Sequence, residues 1–170
     1  MRLIGVGRAG MSLFCTLMDL PTPLTQGAFD HCNDAIRTAA KEVSEESMYR
    51  AAQEEKEKTD PKDGKIIVSG DGSWRKRGYS SLTGLQYIIG NKTKKVIDVN
   101  VKSAYCQECV SMEKYVGTPQ YLDWIDPHIE KCQANYEGSA GGMEPVGILE
   151  MFKRSKEKYG VVYSGMQDYL

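Results

Sequence analysis

The spacing of hydrophobic residues divides the first third of the chain into two zones. Residues 1–21 are a short, mostly apolar lead-in. Residues 22–60 carry apolar residues at helical spacing, among them Phe29, Ile36 and Val43. The second half of this zone is rich in Glu and Lys, which is typical of a solvated helical face with pairs four residues apart. The pattern predicts an N-terminal helical segment.

From residue 65 the pattern changes to that of β-strands. Apolar or alternating runs at 65–71, 82–89 and 96–101 are joined by short polar connections. Residues 143–159 return to helical spacing and are followed by a glycine, which favours the end of a helix. A further apolar run begins at 161–163. The three closely spaced runs predict an antiparallel meander, followed by a helix and the start of a fourth strand.

This order of elements predicts an α/β protein of the α+β kind. Three antiparallel strands, a helix and a fourth strand are how an RNase H-type fold begins, although order alone is weak evidence. In that fold the first strand carries one catalytic carboxylate and another lies at the end of the fourth strand. The expected organisation is a lead-in at 1–21, a helical segment at 22–60 and a partial RNase H-like domain at 65–170, with an irregular insertion at 106–140.

Composition and charge restrict the function only mildly. The formal net charge is −1 and 26% of residues are charged, so the whole chain has no general electrostatic attraction to nucleic acid. The longest apolar stretch is about half as long as a membrane-spanning helix, which needs roughly 20 residues, and we expect no membrane segment. Five cysteines, an odd number without a convincing secretion signal, favour a reducing intracellular compartment.

Four residues have the spacing of a structural zinc site. Cys106-x-x-Cys109 places two thiolates on one turn, and His128-x-x-x-Cys132 can complete a tetrahedron from a single helical turn. Four protein ligands leave no open position for chemistry. The alternatives are separate buried thiols with a surface histidine, or a redox Cys-x-x-Cys pair, which usually needs a thioredoxin-like context.

Asp71 ends an apolar strand between two glycines and is followed by Trp74, Arg75, Lys76 and Arg77. An aspartate at the end of a buried strand is well placed to hold a hard divalent cation through oxygen. The basic run supplies the positive charge that a phosphodiester needs, and Trp74 can pack in the core or stack on a base. The plainer alternative is a strand-end turn with a solvated basic cluster.

Several segments together resemble a known family. Residues 71–81, D-G-S-W-R-K-R-G-Y-S-S, resemble the motif D-G-S/T-W-x-K-R-G-x-S-S of Mutator-like transposase domains. Residues 95–99, K-V-I-D-V, are similar to a strand of that family, and the Cys/His set resembles its insertion. Residues 135–144, N-Y-E-G-S-A-G-G-M-E, resemble the segment N-Y/W-x-G-S-S-x-x-M-E. The resemblance covers nearly the whole chain and places it in the N-terminal part of the domain.

The resemblance implies a DDE-type enzyme of RNase H-like fold. Such enzymes act on transposon ends in the nucleus and use two Mg²⁺ or Mn²⁺ ions held by three carboxylates. By the resemblance, Asp71 is the first carboxylate and residues 74–77 contact DNA. The second belongs to a G-D-G-D-S motif, whereas this chain reads S-G-M-Q-D-Y-L at 164–170. Asp168 lies near the expected place without the flanking glycine and second aspartate, and the third carboxylate has no counterpart.

We therefore expect a transposase domain that is catalytically incomplete within these 170 residues. Glu144 follows a glycine-rich loop at a predicted helix start, where it either faces the same site or serves as a helix-end acid. Two other readings stay open. One is a non-catalytic, zinc-stapled module that binds DNA or protein, and the other is an inactive relic. The contacts of such a DNA-binding module would be Arg75, Lys76, Arg77, Lys92, Lys94 and Lys95.

Overall fold

The computed structural model describes residues 7–59, 63–75 and 80–166. It confirms the predicted α/β class, with α-helices and a four-stranded mixed sheet. The chain divides into two compact units, one ending at Ser47 and the other beginning at Met48.

The first unit is helical. Helix α1 spans Arg8–Leu17, inside the predicted lead-in, where the sequence analysis placed no helix. Helix α2 spans Gln26–Thr59, so its residues from Met48 onward belong to the second unit, and it confirms the predicted helical segment. The side-chain oxygen of Thr25 accepts a hydrogen bond of 3.3 Å from the backbone N–H of Ala28. This bond satisfies one of the free donors at the start of α2.

The second unit is built on a sheet with the strand order β3-β2-β1-β4. The strands are β1 at Lys65–Trp74, β2 at Thr83–Gly90, β3 at Val96–Ser103 and β4 at Val162–Met166. Strands β1, β2 and β3 pair antiparallel, so the predicted meander is confirmed. Strand β4 pairs parallel with β1, which requires a crossover connection rather than a hairpin.

The parallel pairing fixes where β4 ends. Ile66 lies opposite Tyr163, and after an irregularity in register Val68 lies opposite Met166. Because parallel strands run in the same direction, the carboxyl end of β4 lies beside β1 only three positions before Asp71 (71 − 68). The two strands therefore direct the chain toward the same edge of the sheet.

Helix α5, Ala140–Tyr159, belongs to this crossover and packs against the sheet. Gly160 follows it with a left-handed φ of 66°, which confirms the predicted stop. The helix begins three residues earlier than the predicted Met143, so Gly141 and Gly142 are helical rather than part of a loop. Among the described residues, nine buried side chains form the main hydrophobic cluster, and removing their apolar surface from water stabilises the fold: Ala52, Ile66, Val68, Ile88, Ile97, Met151, Tyr159, Val161 and Tyr163.

The segment predicted to be irregular, 106–140, is instead partly helical. Helix α3 spans Gln107–Met112 and is followed by a 3-10 turn at Glu113–Tyr115. Helix α4 spans Pro119–Ile129. The prediction of irregular structure across this segment was wrong, because the helices α3 and α4 form within it.

The prolines of α4 occupy positions that a helix tolerates. Pro119 is the first helical residue, where its missing N–H has no helical partner to lose. The hydroxyl of Thr118 accepts a hydrogen bond of 3.3 Å from the N–H of Tyr121 and caps the helix. Pro127 lies two residues before the end of α4, so it breaks no continuing helix.

One glutamate of the expected solvated face of α2 is completely buried. The carboxylate of Glu55 accepts hydrogen bonds from the backbone N–H of Lys92, at 2.8 Å, and of Thr93, at 2.7 Å. These residues form the turn between β2 and β3. A side chain at Gly90 would meet this carboxylate, since an added Cβ would clash with Oε2 of Glu55. Glu55 therefore holds the second half of α2 against the β2–β3 turn.

Replacing Glu55 with Gln should lower the free energy of unfolding by about 2 kcal/mol, because the buried carboxylate that accepts both charge-assisted N–H bonds is replaced by a neutral amide. Urea denaturation measures this effect. Glu57→Gln makes the same change at an exposed position of α2 and should be close to neutral. Equal stabilities for the two variants would show that the bonds of Glu55 contribute nothing.

Candidate functional site

The structure brings together the four residues predicted to bind zinc. The ligand atoms of Cys106, Cys109, His128 and Cys132 all lie within 4.8 Å of one another. The Sγ atom of Cys109 is 3.2 Å from Nε2 of His128 and 3.5 Å from Sγ of Cys132. A tetrahedral ion bound about 2.3 Å from each sulfur separates its ligands by about 3.8 Å. The four residues therefore form a set that can hold a metal ion such as zinc.

Two neighbours orient the histidine. Nδ1 of His128 lies 3.0 Å from Oε2 of Glu108, an arrangement in which the ring donates to the carboxylate and keeps Nε2 free of a proton. Trp124 stacks on the imidazole with ring centroids 4.3 Å apart. Because His128 is only 5% exposed, these contacts fix the ring with Nε2 directed at the cysteines.

The surroundings of the cysteine thiols shift their pKa values in directions that favour a bound cation. Burial alone raises the pKa of Cys106, but hydrogen bonds from the backbone N–H groups of Cys109, Gln133 and Glu108 lower it to about 6. Burial and hydrogen bonds with Cys132 and Cys106 raise the pKa of Cys109 to about 12. The thiol of Cys106 therefore ionises readily, whereas the thiol of Cys109 stays protonated. A bound cation favours the thiolate form of both, because it compensates the repulsion between the two negative charges.

Both ends of this zinc-type module, residues 104–136, are bound to the sheet. At the start, the N–H of Ala104 donates to the carbonyl of Leu82 at 2.8 Å. At the end, Oδ1 of Asn135 accepts from the N–H of Ser103 at 2.8 Å, and its Nδ2 donates to the carbonyl of Val101 at 2.9 Å. The asparagine side chain therefore pairs with β3 as a neighbouring strand would.

Asp71 lies on β1 with its carboxylate exposed to solvent. Its Oδ2 accepts a hydrogen bond of 2.7 Å from the hydroxyl of Tyr87, the residue opposite it on β2. Its Oδ1 accepts from the N–H of Gly72 at 2.7 Å. The hydrogen bond to Asp71 raises the pKa of Tyr87, since the phenol loses a favourable partner when it ionises. Tyr87 therefore orients a carboxylate that is still open to solvent.

Glu144 reaches the same end of β1 from the side of α5. Its carboxyl carbon is 3.1 Å from the position that a Cβ at Gly72 would occupy. Side chains alternate along a strand, so Asp71 projects from the opposite face of β1 to Gly72. Glu144 also lies beyond the first turn of α5, which contains no acidic residue. The two carboxylates flank one strand end rather than share one face.

Only part of the predicted basic segment lies among the described residues. Trp74 is half-buried, and its Nε1 donates to the carbonyl of Ala140 at 3.2 Å, so the ring packs at the start of α5. Arg75 is exposed at the end of β1. Lys76, Arg77 and Asp168 lie outside the described residues.

Asp98 on β3 carries a buried carboxylate that was not among the predicted site residues. Asp98 has no exposed surface, and Arg154 of α5 donates to it through Nε at 2.9 Å and a terminal nitrogen at 2.8 Å. The hydroxyl of Tyr159 donates at 2.9 Å, and Nζ of Lys158 lies 3.3 Å away. An aspartate inside a strand of alternating apolar residues is the signal that could have revealed it. The cluster binds α5 to β3.

The fold and the site define a mixed α/β domain that carries a strand-end carboxylate and a three-cysteine, one-histidine cluster suited to a metal. The Mutator-like transposase family matches residues 1–167, and the chain belongs to this family. Neither a curated protein nor a solved structure matches the chain. Among the described residues, no helix is long and apolar enough to span a membrane.

Proposed function

We propose that this chain forms the N-terminal part of a DDE-type, RNase H-like transposase domain, in which Asp71 is the first metal-binding carboxylate. The observation that carries the proposal is the place of Asp71 on the sheet. It lies near the carboxyl end of β1, and the parallel strand β4 ends beside that strand at Val68. Met166, the last residue of β4, therefore lies three positions from Asp71 along the edge of β1 (71 − 68).

The order of the strands supports this assignment. An antiparallel β1-β2-β3 meander, a helix and a β4 parallel to β1 form the arrangement in which an RNase H-like fold collects its carboxylates. Asp168 lies near the position in the chain where the family has its second carboxylate. When bound, Mg²⁺ or Mn²⁺ would activate the attacking oxygen and stabilise the leaving one. A single carboxylate cannot hold two such ions, so residues 1–170 alone should not cut DNA.

The remaining parts of the proposal follow from charge and from the family. The cluster of Cys106, Cys109, His128 and Cys132 is a closed ligand set of the kind that holds structural Zn²⁺. The basic run Arg75-Lys76-Arg77 follows Asp71 by four residues (75 − 71) and would contact the phosphates of transposon-end DNA in the nucleus. Trp74 would support this contact by holding the end of β1 against α5.

The purified chain should bind DNA in a salt-dependent manner and should not nick it in Mg²⁺ or Mn²⁺. Changing Arg75, Lys76 and Arg77 together to Gln should weaken binding and reduce the salt dependence by up to about three charges. The control changes three exposed lysines, Lys131, Lys153 and Lys156, to Gln. Fluorescence anisotropy measures binding, and a supercoiled plasmid reports nicking. Nicking that Asp71→Asn abolishes would contradict the proposed lack of cleavage.

A second candidate function is a non-catalytic, zinc-stapled binding module. The closed Cys/His set favours it, because this cluster organises a surface without supplying chemistry. Under this hypothesis Asp71 binds no metal ion. The wild-type protein and Asp71→Asn should then bind DNA with the same affinity, with or without divalent ions. A Mg²⁺-dependent gain in affinity that disappears in Asp71→Asn would favour the first proposal.

A further inference from the structure

A polar cavity of about 440 Å³ lies where the end of β1 meets the first residues of the zinc-type module. It is separate from the carboxylate of Asp71 and from the Cys/His cluster. One leucine and six polar residues line it: Arg75, Ser80, Ser81, Thr83, Tyr105 and Gln107. The β1–β2 connection, the first residue of β2 and the module each contribute to its walls.

The side chains around the cavity favour an anion. The hydroxyl of Tyr105 donates to Oε1 of Gln107, which occupies the amide oxygen and leaves the amide nitrogen as the free donor. Arg75 brings a guanidinium with donors in a planar fork. None of the described lining residues is acidic. The nearest acid in sequence, Glu108, is turned toward Nδ1 of His128 at 3.0 Å.

The module wall of the cavity is held in place. Tyr105 and Gln107 flank the metal-site residue Cys106 in the chain, so binding of that thiolate restrains both. The N–H of Tyr105 also donates to Oγ of Ser103 at 3.2 Å, at the end of β3. The donors are therefore presented by a restrained segment, and little side-chain entropy is lost when a ligand binds.

The cavity is aligned with Asp71. Side chains alternate along a strand, so Asp71 and Ser73 project from the same face of β1, and Arg75 directly follows the last residue of that strand. Four residues of strand at ~3.4 Å each separate Asp71 from Arg75 by about 14 Å. A DNA strand with one phosphate at Asp71 can therefore present another phosphate of the same strand to the cavity.

We propose that this cavity is a binding site for a backbone phosphodiester of DNA, on the same strand as the phosphate at Asp71. The proposal rests on the proposed function, since it takes DNA as the molecule that lies along β1. It gives the zinc-type module a direct part in binding DNA, because Tyr105 and Gln107 belong to that module. The contact does not depend on the base sequence of the DNA, since it involves only a backbone phosphate.

The test adds one negative charge to the lining of the cavity with a small change in side-chain volume. Gln107→Glu should reduce affinity for a duplex oligonucleotide about tenfold, because the new carboxylate repels the phosphate. Ser80→Asp at the exposed opposite wall should act in the same direction. Gln120→Glu makes the same change on the exposed surface of α4 and is the control. Anisotropy over a range of salt measures affinity, while zinc content and thermal melting report folding.

The outcomes separate this inference from the proposed function. If wild-type protein binds DNA and both folded cavity variants bind as tightly as Gln120→Glu, the phosphate site is wrong and the proposed function stands. If wild-type protein does not bind DNA, both are wrong. If Gln107→Glu loses its metal, Ser80→Asp alone decides, because Ser80 lies outside the module. Weakening in a folded cavity variant but not in the control supports the site.

Discussion

Removing metal from the Cys106, Cys109, His128 and Cys132 cluster is expected to unfold α3 and α4 while the sheet stays folded. These helices have almost no core of their own: α3 has no buried residue, and the only buried residue of α4 is His128 itself. Val110 of α3 and Leu122 and Ile129 of α4 are exposed, as is Val116 between the two helices. Structural zinc contributes about 10–16 kcal/mol in zinc-finger peptides, and nothing in the packing of α3 and α4 replaces it.

Metal analysis should find one zinc ion per chain, and a chelator should abolish hydrogen-exchange protection in α3 and α4. Protection in β1, β2 and β3 should survive, because their core lies against α5 and the end of α2. Cys106→Ser should reproduce the effect of the chelator. Cys32→Ser, at an exposed cysteine outside the cluster, should not. Metal-free protein with full protection of α3 and α4 would contradict the zinc assignment.

The parts of this protein that could be predicted from sequence depend on short-range patterns. The Cys/His cluster was predictable because each pair of its ligands lies within one turn of chain, which restricts the geometry. The antiparallel meander was predictable because its strands are joined by short polar connections. Gly160 was predictable as a helix end because glycine readily adopts its left-handed φ of 66°.

The helices of the module were missed because their stability does not come from their own sequence. Helix α3 is only six residues long and has no buried face, so apolar periodicity could not reveal it. Helix α4 contains Pro119 and Pro127, which are usually read as breakers. The residues that position these helices, Cys106 and Asn135, act through the metal site and the edge of β3.

Buried charges were missed for a related reason. Asp98 and Arg154 are 56 positions apart in the chain, and Glu55 and Lys92 are 37 apart. No local pattern links such pairs, so Glu55 was taken as one of many solvated glutamates on α2. The same limit applies to Glu144. Its sequence placed it near a helix start, but only the structure shows that it contacts β1 beside Gly72 on the side of α5.

Replacing Asp98 with Asn should destabilise the protein by about 3 kcal/mol, because removing one member of a buried ion pair leaves its partners without compensation. Arg154 and Lys158 both face this carboxylate and keep their charges in the variant. The carboxylate also raises the pKa of Arg154 through hydrogen bonding and charge, against the opposing effect of burial. Urea denaturation should show the loss, and Asp126→Asn at an exposed position of α4 should be nearly neutral.

A double variant distinguishes a lost ion pair from general damage to the core. Adding Arg154→Met to Asp98→Asn removes the uncompensated guanidinium while keeping much of the side-chain volume, so it should recover part of the lost stability. Arg154→Met alone should be destabilising, because Asp98 then keeps only Lys158 and Tyr159 among its side-chain partners described here. If the two single losses simply add in the double variant, the pair does not couple α5 to β3, and the contribution of Asp98 lies elsewhere.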